Sequence, residues 1–122
     1  MSSSEKLLEA FEADTLDPAT FDHRAHVETA AALLRQTDFL DAARRYHAGL
    51  ERLATRAGAP TKANLTITLA FLSLIQERRG AHVPPEVHDQ VFDAKLLSRW
   101  YSRERLMSVS ARENLLMPDR AP

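Results

Sequence analysis

The sequence contains no cysteine. That removes disulfide frameworks, zinc ribbons, iron–sulfur ligation and thiol nucleophiles together. Glycine is scarce, with 3 in 122 residues, and the alternation of apolar and polar residues that marks strands is almost absent. No phosphate-cradling glycine loop and no nucleophile elbow can be found. No run approaches the roughly 18 apolar residues of a membrane span. Met1 to Glu12 lacks the basic and apolar segments of a signal peptide. Neither sign of charge dominates: 16 Lys and Arg stand against 17 Asp and Glu, a net charge of -1. Nucleic acid and acidic membranes both need a concentrated positive field, so neither is expected as a partner. A cytoplasmic protein of bacterial type is the expectation.

What is present points to helix. Ala, Leu, Arg and Glu dominate, all good helix formers. A chain of 122 residues makes one ordinary domain over 1–122 and buries a sizeable core without staples. Ser2 to Glu5 is a capping box for a helix over about Ser3 to Ala13. Thr20 or Asp22 caps a second over about His23 to Arg35. Thr37 is read as the cap of a third, about Asp38 to Arg56, with Gly58 after its end. Pro60 suits the first turn of a fourth, about Thr61 to Arg79, which is apolar almost all round and is followed by Gly80. Shorter helices are expected over Pro85–Phe92, Ala94–Tyr101 and Arg103–Met107, the last capped by Ser102. A final one opens on the Ser110–Glu113 capping box and ends near Met117. The fold class is all-α: a compact single-domain bundle of about four main helices plus short C-terminal ones.

Function is sought where polar residues interrupt apolar faces. At about 100° per residue, His23 and His26 fall beside Val27, Ala30, Leu33 and Leu34 in the second helix. In the fourth, Asn64 and Thr68 share the face of Ile67, Phe71, Leu72 and Ile75, while Lys62, Thr66, Ser73 and Glu77 fall opposite. An up-down-up course makes the second and fourth helices parallel, so His23, His26, Asn64 and Thr68 meet at one end of the bundle. The helix N-termini there add unpaired N–H groups and partial positive charge, which lowers a histidine pKa and suits an anionic or carbonyl-bearing ligand. Each residue also has an ordinary reading. An inward histidine commonly bonds a backbone carbonyl in the core, threonine back-bonds within a helix, and Asn64 is a fitting helix-start residue. His47 flanks the third helix's stripe; His82 and His88 read as solvent-facing. Trp100 and Tyr101 pack C-terminal helices over the bundle or wall a pocket. Arg103, Arg105 and Arg112 clamp an anion or are simply solvated, and Arg44–Arg45 reads as a solvated face.

Phe21-x-His23-x-x-His26 followed by Lys62-x-Asn64-x-Thr66-x-Thr68 resembles a poorly characterised family of small, all-helical bacterial proteins. Trp100-Tyr101-Ser102, Leu106, Ala111-Arg112 and Pro118-Asp119 resemble that family's C-terminal pattern, so the likeness spans most of the chain. The resemblance implies a site at the histidine-bearing helix start and brings in Lys62. Where family members carry histidine at the position of Asn64, a third imidazole would complete a metal site. This chain has an amide there, a poor ligand for zinc, iron or copper.

Three functions follow as expectations. The first is a small-molecule site, with catalysis one use of it. His23 or His26 would be general base, Asn64 and Thr68 would orient the ligand, Lys62 or Arg112 would neutralise an anion, and Trp100 would be a wall. The second is binding of a divalent transition metal by His23 and His26, with Asp22, Glu28 or His47 as third ligand. The third is a non-catalytic accessory subunit of a larger enzyme. Homodimerisation or a protein partner is compatible with all three.

Overall fold

Four side chains start the four long helices. Ser2 Oγ accepts from the Glu5 N–H at 3.1 Å and opens α1 (Ser3–Glu12). Asp22 Oδ1 accepts from the Ala25 N–H at 2.9 Å and opens α2 (His23–Gln36). Asp38 Oδ1 accepts from the Asp41 N–H at 2.8 Å and opens α3 (Phe39–Arg56). Asn64 Oδ1 accepts from the Ile67 N–H at 2.9 Å at the head of α4 (Leu65–Arg78). These are the residue types that satisfy orphan amides at helix starts. The computed structural model describes residues 2–78 and 94–120. Three short helices complete it: α5 (Ala94–Leu97), α6 (Arg103–Leu106, capped by Ser102) and α7 (Val109–Glu113). The fold is all-α, and no strand occurs among the described residues.

Several boundaries differ from the sequence reading, each for a local reason. Asp38, not Thr37, caps α3, because the carboxylate lies one residue closer to the open amides. Pro60–Lys62 forms a separate 3-10 turn, so α4 begins at Leu65 rather than near Thr61. The last helix begins at Val109 under the Ser108 hydroxyl and stops at Glu113, so Ser110 is inside it and the Ser110–Glu113 box is not used. α5 ends at Leu97, short of Tyr101. Gly58 follows α3 with φ at 76°, the left-handed geometry that favours glycine at such a stop. The expected helix over Pro85–Phe92, Gly80, His82 and His88 lie outside the described residues.

The core joins Leu8 and Phe11 of α1, Val27, Ala30, Leu33 and Leu34 of α2, Ala42, Ala43, Tyr46 and Leu53 of α3, and Phe71, Leu72 and Ile75 of α4. Arg45 leaves the solvated face expected of it. Its guanidinium grips both carboxylate oxygens of Glu12, tying α3 to α1 and holding the Glu12 carboxyl below its ordinary pKa. Thr66, expected to face outward, is completely buried. The C-terminal segment covers it, and its hydroxyl donates to the Asn114 carbonyl and accepts from the Leu116 N–H.

That segment is fastened at several points. Asp119 accepts from the Ser102 N–H and hydroxyl, each at 2.7 Å. Tyr101 donates to the Leu116 carbonyl at 2.8 Å, and Arg105 Nε donates to the Met117 carbonyl at 2.7 Å. Arg105 is thus engaged by backbone rather than displayed as an anion clamp.

Gly49 lies in the middle of α3, where glycine costs about 1 kcal/mol against alanine. Its bareness is needed: a Cβ there would overlap the Phe11 ring. Gly49→Ala therefore should destabilise the protein by about 1–3 kcal/mol in urea unfolding, despite the gain in helix propensity. In a Phe11→Leu background the same substitution should cost much less.

Candidate functional site

α2 and α4 begin at the same end of the bundle, and α3 runs between them in the opposite direction. The C-terminal half of α3 therefore faces the first turns of the other two. A cavity of about 540 Å³ opens there. Leu50, Leu53, Ala54 and Ala57 of α3 form one side, and Ile67 and Phe71 of α4 another. Phe21 and Pro18, from the turn before α2, complete the apolar wall. The polar groups on it are Asp22, His23, His26, Tyr46, Lys62, Asn64 and Thr68.

Five of the residues singled out by sequence thus line one cavity: His23, His26, Lys62, Asn64 and Thr68. Trp100 and Arg112 lie outside its wall. Trp100 packs partly buried against the core, and Arg112 belongs to α7. Lys62 reaches the cavity because it sits in the 3-10 turn before α4, where a helical face assignment does not apply.

His26 is the best-defined polar group. Its Nδ1 lies 3.3 Å from the Tyr46 hydroxyl, which is also 3.3 Å from the His26 carbonyl oxygen. A carbonyl can only accept, so for both bonds to form the phenol proton must go to the carbonyl and Nδ1–H must donate to the phenol oxygen. That arrangement selects the Nδ1–H tautomer and leaves the lone pair on Nε2. The Phe21 ring packs against the imidazole at 4.3 Å between centroids. Burial lowers the His26 pKa to about 4; the neighbouring His23 charge adds to this, and Asp22 opposes it. Desolvation is therefore the leading cause. Burial likewise pushes the Tyr46 hydroxyl up, so it stays protonated.

Asn64 takes the helix-start place that was its ordinary reading. Besides capping α4 through Oδ1, it donates from Nδ2 to the Leu106 carbonyl at 2.7 Å. It is 7% exposed, and its amide fastens the cavity wall to α6. Thr68 is 6% exposed and borders the cavity.

The proposed third metal ligands are engaged elsewhere. Asp22 caps α2, Glu28 pairs with Arg24 at 3.4 Å, and His47 Nε2 lies 3.6 Å from Glu51. Among the described residues no group of three or more His, Asp or Glu side chains is placed to hold a metal ion. Also among these residues, no helix is long and apolar enough to cross a membrane.

Tyr46 was not among the candidate site residues of the sequence. The available signal was its position on the inner face of α3, since a buried tyrosine must find a partner for its hydroxyl. No family model, curated protein or solved structure matches this chain.

The low pKa of His26 has a stability consequence. Below the ordinary histidine pKa of 6.5 the unfolded chain takes up a proton that the folded protein refuses until about 4. Folding stability is therefore complete above that ordinary value and falls as pH drops toward 4. Between about pH 7 and about pH 5 the loss should be about 2 kcal/mol in denaturant unfolding. His26→Gln should remove most of this slope.

Proposed function

We propose that this protein binds a small organic molecule in the cavity between the starts of α2 and α4 and the end of α3. His26 serves there as a neutral acid–base or ligand-polarising group. One observation carries the reading: the His26–Tyr46 pair, His23 and the Thr68 hydroxyl share a cavity of about 540 Å³ whose remaining wall is largely apolar. Sites for small molecules are typically a few hundred Å³, apolar, and furnished with a few convergent polar groups. A neutral imidazole fixed by a hydrogen bond and lining an apolar cavity is suited to acid–base or ligand-polarising work at neutral pH.

The resemblance adds support, because His23, His26, Lys62, Asn64 and Thr68 of its motifs all border this cavity. The reading sets the protein in the bacterial cytoplasm, in keeping with a chain that holds no disulfide. A second reading, an accessory subunit, is favoured by the exposed apolar side chains of Met107, Val109, Leu115 and Met117 in the C-terminal segment.

A fragment screen on ¹⁵N-labelled protein tests the first reading. Amide shifts from bound fragments should gather at residues 21–26 and 62–71. Ala54→Leu, which fills the cavity from the α3 side, should abolish them while leaving the far-UV circular dichroism unchanged. Fragments that bind the filled variant equally well, or shifts confined to other surfaces, contradict it.

A further inference from the structure

If the cavity binds a small molecule, the chemistry of its wall also selects the class. Its wall holds one lysine, Lys62, and one carboxylate, Asp22. Asp22 is committed to the N-terminus of α2, where its carboxylate accepts from the Ala25 N–H and meets the positive end of a 14-residue helix. Lys62 forms no ion pair among the described residues. The head of α4, also 14 residues long, lies beside it. Lys62 is therefore a cation on this wall that holds no ion pair among the described residues.

The rest of the wall points inward from that charge. Leu50, Leu53, Ile67 and Phe71 form an apolar bed. Among them stands Thr68, a residue 6% exposed that borders the same cavity.

Resting on the small-molecule reading, we propose that the ligand is an organic carboxylate with an apolar ring or chain as its body. The carboxylate lies at the mouth beside Lys62. The body lies on Leu50, Leu53, Ile67 and Phe71, and Thr68 supplies one polar contact further in. One lysine and no arginine on the wall match a monoanion better than a phosphate dianion, which calls for several donors or a bidentate fork. A cavity of about 540 Å³ has room for a fused two-ring body.

The test uses the full chain and four probes that share one body: 2-naphthylacetate, 2-naphthylacetamide, 2-(2-naphthyl)ethylamine and 2-naphthyl phosphate. Binding is read from naphthalene fluorescence and from the amide shifts of residues 62–71. Naphthylacetate should bind about ten-fold more tightly than the amide, the scale of one charge-assisted contact. The amine should bind more weakly still. Lys62→Gln, at an exposed turn where folding is not at stake, should bring the acetate down to the level of the amide. The proposal is overturned if the amide or amine binds as tightly as the acetate, if the phosphate binds more tightly, or if Lys62→Gln keeps the preference. In each of those results the cavity itself still binds, so the small-molecule reading survives. If no probe binds while fragments from the screen do, the carboxylate class alone is wrong. If neither probes nor fragments bind, both readings fall.

Discussion

Phe11 reaches the middle of the bundle because residue 49 has no side chain to stop it. From that notch in α3 an aromatic chain extends to the cavity. The Phe11 ring stacks on Phe21 at 5.5 Å and lies 5.9 Å from Tyr46. Phe21 in turn packs on His26, and Tyr46 bonds it. The imidazole is thus fixed from two sides by rings that rest on one another. Each such ring contact is worth about 1 kcal/mol beyond the area it buries. The Arg45–Glu12 pair holds α1 against α3 near the same place, which keeps Phe11 seated. A single glycine in a helix interior therefore bears on the geometry of a residue one turn away on the same helix and of another on α2.

α4 divides its first turns between two tasks. Asn64 and Thr66 face the C-terminal segment, and their polar atoms are spent on Leu106, Asn114 and Leu116. Thr68 faces the cavity. The same polar sequence, Asn64-x-Thr66-x-Thr68, thus serves both to fasten and to furnish. The C-terminal pattern belongs to the first task. Tyr101, Ser102 and Asp119 form the fastening itself, while Leu106 and Ala111 are buried beneath it.

The helical class and the four long helices were legible because their signals are local. Caps such as Ser2, Asp22 and Asn64 and the 3.6-residue apolar repeat lie within one turn of what they specify. The meeting of His23, His26, Asn64 and Thr68 followed from adding one topological step, that α2 and α4 run parallel. What stayed hidden depends on segments distant in sequence. Thr66 looked outward because nothing in α4 announces that residues 114–116 lie over it. The bridge from Arg45 to Glu12 spans 33 positions, and Phe11 over Gly49 spans α1 and α3. Trp100 lies in the turn after α5 and Arg112 in the five-residue α7, where too few helical turns exist for periodicity to assign a direction.

The cavity combines an apolar wall with an imidazole that burial keeps neutral and a tyrosine that orients it. The chemistry we propose for it rests on that state of His26: an oriented imidazole, uncharged at neutral pH. The most direct measurement is a long-range ¹H–¹⁵N spectrum of the histidine rings followed through a pH titration, with His26 assigned by substitution. The account predicts the Nδ1–H tautomer, unchanged through the ordinary histidine range and protonating only near pH 4. An Nε2–H tautomer, or protonation at the ordinary value of 6.5, would contradict it.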